Sequence, residues 1–380
     1  MNPVTRRAVG VLYLLQALGY AVTVTSLPAF QDRLSISDAV TSGVLLVVCL
    51  AAAGGSVLAD RLAVGVSSRR AVVVGLTVEA VALAVVALAP TLWVWLPAVV
   101  VYGVGLGAVD ASANMQGVLA ERGAGRPLMG RFFAAYTVGA IIGALVMSAG
   151  LALSGAVVVA LLVTAVLQAA YLLVMAKDLD PARAAVAGQE QKDAPAVPRG
   201  PVIILGLVIL AAFTVDSGVS TWSTVLLDDY GVRDAVAPLG YALYQAGVLV
   251  ARLGTDSAER RLGARPLLGV AVAVGLLGGL VVAVTGGTAG AVAGFALSGL
   301  AVGVLVPVAF GLAGRVLPER SDEVVARVNI FNYAGALVGA VGIGLLVEPV
   351  GGAAFLVGAV LLVAAVPAVV KKVGVRQSQA

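Results

Sequence analysis

Three carboxylates stand inside long apolar runs of this chain: Glu79, Asp110 and Asp216, none with a Lys or Arg near its own depth on the same run. An ionised carboxylate at the centre of a bilayer costs about 2.5–3.5 kcal/mol on insertion scales, so such a group is neutral for most of its life or faces water. Both conditions suit a residue that takes up and releases a proton during a cycle. Other chemistries find little support. The sequence has no histidine and one cysteine, which removes histidine relays and argues against a transition-metal site. No phosphate-cradling GxxxxGK[ST] loop is present, so ATP-driven transport by this chain alone is not expected. No nucleophile–base pair or metal constellation marks an enzyme, and no cofactor is expected.

Asp110 has the richest surroundings. Gly103, Gly107, Asp110 and Asn114 follow i, i+4, i+7, i+11 spacing and share one side of a helix. Asp110 precedes Glu121 by eleven residues, placing it about 16 Å from that end of the run at 1.5 Å per residue. The glycines admit a neighbouring helix, while Asp110 and Asn114 offer acceptor and donor. Proton coupling is one reading of this face; an interhelical hydrogen bond that only holds the bundle is the other. Asp216 is read in the same two ways. Ser220 and Ser223 continue its face, Trp222 follows, and a local bond to a serine or a carbonyl is the alternative to coupling. Glu79, in the third run, reads as a structural contact, with a part in transport as the alternative.

Further polar residues lie at lipid depth. Tyr13, Gln16 and Tyr20 form a stripe on the first run, and Tyr241, Tyr244, Gln245 and Arg252 lie near one face of the eighth. Asn329, Asn332 and Tyr333 cluster at i, i+3, i+4 on the eleventh. Such side chains need partners, either a bound solute or one another across a dry interface. The solute-contact set is Gln16, Tyr20, Asn114, Trp222, Tyr241, Tyr244, Gln245, Asn332 and Tyr333. Trp93 and Trp95, near a helix end, read as interfacial anchors, and Cys49 as a packing residue.

The elements that must position these groups follow from composition. At 61% apolar, 12% charged residues and mean hydropathy +1.06, most of the chain cannot be water-soluble surface. A span needs about 20 mostly apolar residues to cross the hydrocarbon layer. Twelve runs qualify: roughly 8–30, 38–59, 71–89, 92–119, 128–149, 152–175, 201–226, 236–255, 266–285, 288–314, 325–347 and 351–370. Each must be helical, because lipid cannot satisfy the backbone. Of the 24 Lys and Arg, only Arg33 and Arg233 fall in loops that this count places outside. The positive-inside rule therefore puts both termini in the cytoplasm. The net charge of +4 is a by-product of that bias and gives no hint of nucleic acid. No cleavable signal peptide is evident.

The chain also repeats. Shifted by 196 residues, Asp32 falls on Asp228, Asp60 on Asp256, Gly103 on Gly299, Gly107 on Gly303, Gly139 on Gly335 and Gly143 on Gly339. Two parallel repeats predict a pseudo-two-fold axis along the membrane normal and a central site, the plan of a secondary transporter. The expected organisation is an all-α membrane protein of two pseudo-symmetric six-helix bundles, 1–176 and 201–380. A polar linker at 177–200 joins them.

Over its whole length this pattern resembles the major facilitator superfamily. The loop after the second run, GSVLADRLAVGVSSRR, is similar to that superfamily's cytoplasmic glycine-x-x-x-aspartate-arginine motif, with Ser56 at the usual glycine and the basic pair displaced. ARLGTDSAERRLGAR is its second copy and keeps Asp256 and Arg265. The resemblance implies a cytoplasmic gate role for Asp60, Arg61, Arg69 and Asp256. GVGLGAVDASANMQGVLAER and TWSTVLL resemble a narrower, largely uncharacterised inner-membrane branch related to fucose–proton symporters. Those symporters carry an acid four residues before an asparagine, matching Asp110 and Asn114, and the acid takes part in proton coupling. The first run lacks the symporters' second acid, so no sugar specificity transfers.

The expectation is a multi-pass plasma-membrane transporter, acting as a monomer, that moves a small organic solute with protons by alternating access. Spans 1, 4, 7, 8 and 11 would contact the solute, with Asp110 and Asp216 coupling the protons. The alternative is proton-driven efflux of drugs or metabolites. A non-transporting membrane sensor ranks behind both, because neither terminus offers a signalling domain.

Overall fold

Lipid leaves the backbone to satisfy its own amides, and every regular element among the described residues is helical. The structure, a computed structural model, describes residues 3–35, 38–151, 156–181, 196–231, 238–364 and 366. First come α1 (Pro3–Leu34), α2 (Asp38–Gly65), α3 (Ser68–Leu88), α4 (Leu92–Ala124), α5 (Met129–Leu151) and α6 (Ala156–Val174). Then follow α7 (Arg199–Asp229), α8 (Pro238–Leu262), α9 (Ala264–Thr285), α10 (Thr288–Val316) and α11 (Ser321–Leu337). A π-helical segment, Val338–Ile343, carries α11 into α12 (Gly344–Val350), and a 3₁₀ turn leads to α13 (Leu356–Ala364).

Local signals set the ends. Ser67 caps α3 with its hydroxyl oxygen, which accepts from the Arg70 amide at 3.2 Å. Gly286, at φ 56°, takes the left-handed conformation that ends α9. At the far end of α3, the Arg33 guanidinium donates to the Ala87 and Ala89 carbonyls at 3.3 and 2.7 Å and lies over the Phe30 ring. A cation there satisfies C-terminal carbonyls and the helix dipole together.

Ten helices among the described residues are long and apolar enough to cross a bilayer. The expected eleventh span is α11, the π segment and α12 in one run. The eighth and twelfth expected spans fall outside the ten. α8 carries Arg252, Asp256, Glu259, Arg260 and Arg261 in its second half, which dilutes its apolar character. The last apolar helix within the described residues, Gly351–Val363, is short. Most of the expected linker (182–195), Arg233 and the basic C-terminal stretch from Lys371 lie outside the described residues.

The chain forms two compact units. One comprises Met1–Ala124, Phe132–Pro195 and Glu319–Ala326; the other comprises Gly125–Arg131, Ala196–Pro318 and Arg327–Ala380. Within the first, glycines bring helices to backbone contact. A Cβ at Gly107 of α4 would overlap the Ala52 carbonyl of α2, and one at Gly103 would stand 3.0 Å from the Val48 oxygen. Gly139 and Gly143 of α5 meet the Leu14 and Leu18 carbonyls of α1 in the same way. Each contact recurs in the second unit 196 positions on. Gly303 meets Val248, Gly299 meets Tyr244, Gly335 meets Leu210 and Gly339 meets Thr214. The repeat read from the sequence is thus a repeat of helix packing, carried by residues without side chains.

The apolar core of the first unit gathers Leu83, Trp95, Tyr102, Met147 and Leu161. Trp93 is exposed, as an anchor should be, but Trp95 is not. It is buried against Phe30, with ring centroids 5.5 Å apart.

Candidate proton and solute sites

In the first unit the stripes on α1 and α4 meet. Gln16 spends both hydrogens of its amide on α4, one on the Leu106 carbonyl at 3.2 Å and one on Asp110 Oδ1 at 2.9 Å. One helical turn earlier, Tyr13 donates its hydroxyl to Asn114 Oδ1 at 2.7 Å. Gln16, Tyr13 and Asn114 are buried, whereas Asp110 is half-buried. The expected face of α4 therefore serves two neighbours: its glycines receive α2, and its acid and amide receive α1. Phe132 and Phe133 of α5 close on the Tyr13 ring, at centroid distances of 5.6 and 5.3 Å. Tyr20, at the far end of the stripe, is exposed.

The Gln16 amide anchors the Asp110 carboxyl through an N–H that itself carries no charge.

In the second unit, Asp216 of α7 accepts from the Tyr244 hydroxyl of α8 at 2.6 Å. Tyr244 is fully buried and stacks on Tyr241 at 6.1 Å. Gln245 donates to the Tyr241 oxygen at 2.6 Å, and Ser220 of α7 also bonds Tyr241. Arg252, buried on α8, adds a positive charge that acts on Asp216. The sequence places Arg252 near that face but not its action on the acid. Asn332 is half-buried and Tyr333 buried on α11.

Trp222 of α7 reaches the π segment. Its indole N–H donates to the Ala340 carbonyl at 2.7 Å, inside the π segment. Ser217 and Thr214 of α7 likewise donate to the Ala336 and Gly335 carbonyls, at 2.8 and 3.2 Å. A π turn displaces the regular ladder of helix hydrogen bonds, and α7 side chains serve the carbonyls along it.

Among the gate residues, Asp256 has the fullest contacts. Buried on α8, it accepts from the backbone amides of Gly130 and Arg131 at 2.8 and 3.2 Å, and Arg131 Nε lies 3.6 Å away. These amides belong to the first turn of α5, where helix N–H groups lack intrahelical partners. Burial pushes the Asp256 carboxyl above the ordinary aspartate range, against the pull of those two amides and of the Arg131 and Arg260 charges. Arg69 reaches the Lys177 carbonyl at 3.5 Å, Asp60 is half-buried and Arg61 exposed.

Glu79 and Gln168 form a pair that sequence reasoning missed. The Gln168 amide of α6 donates to Glu79 Oε1 of α3 at 2.9 Å. The available signal was a lone glutamine in the sixth, otherwise strongly apolar run, opposite an acid lacking a partner.

The sequence matches the Major Facilitator Superfamily over residues 9–297. An uncharacterised MFS-type transporter of Yersinia pestis is 28% identical over 342 residues, covering 88% of this chain and 87% of its own length. Among solved structures, FucP, the E. coli fucose:proton symporter, is similar in its outward conformation with TM-score 0.78. That match has 15% identity and covers 96% of this chain and 97% of FucP. The human organic anion transporter MFSD10 (TETRAN) follows with TM-score 0.76 and 14% identity, covering 96% of this chain and 99% of its own.

Proposed function

This chain belongs to the major facilitator superfamily, and on that footing we propose that it couples movement of a small organic solute to protons by alternating access. As an integral multi-pass membrane protein of this family it is a transporter; proton coupling and the residues that carry it are the proposal. The observation that carries it is Asp110, a half-buried carboxyl at lipid depth held by the Gln16 amide. Protonation removes a charge whose desolvation opposes occlusion. In this reading Asp110 binds the coupled proton and Asp216, bonded to Tyr244 and acted on by the Arg252 charge, contributes to the same cycle. Gln16, Asn114, Tyr241, Gln245, Asn332 and Tyr333 supply hydrogen-bonding groups suited to a small polar solute. Asp256, capping α5, acts in a cytoplasmic gate with Asp60, Arg61 and Arg69. The halves join at 177–200, the termini face the cytoplasm, and the protein works as a monomer in the plasma membrane.

Proteoliposomes loaded with a pH-sensitive dye test the reading, screened against pooled sugars, metabolites, organic anions and cationic drugs. A solute-dependent proton flux that disappears in Asp110→Asn supports it, and the sign of the flux separates symport from antiport. Flux that survives unchanged in Asp110→Asn removes Asp110 from the coupling. No flux with any pool counts against proton coupling.

A further inference from the structure

Glu79 is wholly buried on α3, yet its surroundings are not those of a structural ion pair. Gln168 donates to Oε1 at 2.9 Å, while Glu79 Oε2 and Gln168 Oε1 are both buried without a hydrogen-bond partner. No ion pair among the described residues involves Glu79. A guanidinium or ammonium partner would hold the carboxyl as an anion. A primary amide does not. It donates N–H to a carboxylate and, after a half-turn of its terminal group, accepts O–H from a carboxylic acid. Either protonation state of Glu79 thus keeps a hydrogen bond to Gln168, and neither state has a fixed charge to balance. A buried carboxyl in that position is held most cheaply as the neutral acid.

The pair also lies close to Asp110. Gly19 of α1 packs directly on it: a Cβ there would stand 2.8 Å from both Glu79 Oε1 and Gln168 Nε2. Gln16, the residue that holds Asp110, lies three positions earlier on α1, on an adjoining part of the same helix face. On the other side, Gly105 of α4 receives the Glu79 backbone, and a Cβ there would be 2.7 Å from Glu79 N. The Asp110 charge acts on Glu79 across this packing. Tyr102 of α4 is the other titratable group facing Glu79, and Tyr20 of α1 and Tyr136 of α5 act on Tyr102 in turn. α6 presents the Gln168 amide, and no charged group of α2 acts on Glu79 among the described residues.

We propose that Glu79 is a second proton-binding group, and that the charge on Asp110 decides whether Glu79 keeps its proton. Two neighbouring carboxyls resist being ionised together and titrate as a pair. Ionised Asp110 tightens the hold of Glu79 on its proton; neutral Asp110 loosens it. For its place in a transport cycle this inference rests on the proton-coupled reading of Asp110, but its test does not.

The test is infrared spectroscopy of the purified protein in lipid, following the carbonyl band of protonated carboxylic acids through a pH titration. Glu79→Gln identifies the Glu79 band by its loss. Glu79→Asp, which displaces the band while keeping an acid, serves if Glu79→Gln does not fold. In Asp110→Asn the Glu79 band is expected to weaken at a pH where it is at full strength in the wild type, its midpoint displaced by about 1 pH unit or more. A band that no Glu79 variant removes or displaces overturns the proposal, as does a Glu79 band unaltered by Asp110→Asn. Solute-driven proton flux on the same preparation reads the transport role separately. Absent flux beside an Asp110-dependent Glu79 band overturns proton coupling and leaves the Glu79 proton in place.

Discussion

Tyr244 donates its hydroxyl to Asp216 Oδ1 at 2.6 Å, so that α8 meets α7 through a buried phenol and a half-buried carboxyl. A hydrogen bond contributes about 0.5–1.5 kcal/mol net, and a buried group left without its partner pays for desolvation. Tyr244→Phe is therefore expected to lower thermal stability in detergent, and Asp216→Asn to lower it too. The double variant should lose much less than the two losses added. Strict additivity in that cycle would mean that the bond contributes nothing.

Gln16 and Asp110 give a second prediction. Asp110→Asn keeps an oxygen for the Gln16 amide but cannot ionise, so it should lose proton-driven accumulation while retaining solute exchange. Gln16→Leu leaves the acid in place without its donor, so coupling should persist with a displaced pH profile. Counterflow and accumulation assays on one preparation separate the cases. Accumulation by Asp110→Asn, or a Gln16→Leu profile that overlays the wild type, would count against this account.

How far the sequence reached depends on which force sets each feature. The helix packing was legible because close approach requires glycine, and Gly103, Gly107, Gly139 and Gly143 stand 196 positions before their counterparts. The faces carrying Gln16, Asp110 and Asn114 were legible from helical period. Their pairing was not, since period gives a direction on one helix and not the neighbour it meets. Trp222 shows a different limit. Its N–H goes to Ala340 because the π segment rearranges the carbonyls there, and a π turn leaves no mark in apolar periodicity. For Glu79, the partner lay 89 positions away on α6, beyond the reach of any local pattern.

The glycine contacts supply a third prediction, with an internal control. Gly107→Leu and Gly303→Leu drive side chains into backbone carbonyls at Ala52 and Val248. Overpacking of that kind costs about 1–3 kcal/mol or more, because a backbone cannot rotate away. Both variants should yield little monodisperse protein. Gly54→Ala, where a Cβ meets nothing within 4 Å, should behave as wild type. Equal yields from all three, by size-exclusion chromatography, would remove close approach as the reason for these glycines.

Trp222→Phe tests whether α7 supports the π segment. The change keeps an aromatic ring and removes the donor to Ala340, a neutral hydrogen bond contributing about 0.5–1.5 kcal/mol. Amide exchange in 338–343 should quicken, with exchange in α10 unchanged. Unchanged exchange in 338–343 would show that the segment holds its shape without the indole.

Asp256 carries the last prediction, because its contacts separate a charge effect from a capping effect. Its carboxylate takes both the Gly130 and the Arg131 amide at the first turn of α5, and the Arg131 N–H also reaches the Leu128 carbonyl at 3.1 Å. Arg131 stands 3.6 Å away but is largely exposed, so its ion pair contributes little. The amides, not the arginine, are then what hold Asp256. Asp256→Ala should speed amide exchange at 130 by about tenfold or more, since each 1.4 kcal/mol is a factor of ten, and at 131 by less, because that amide keeps the Leu128 carbonyl. Asp256→Asn keeps one acceptor oxygen and should fall between alanine and wild type. Arg131→Ala should leave the exchange nearly untouched. If Arg131→Ala matches Asp256→Ala instead, the ion pair is the contact that matters and the cap is incidental.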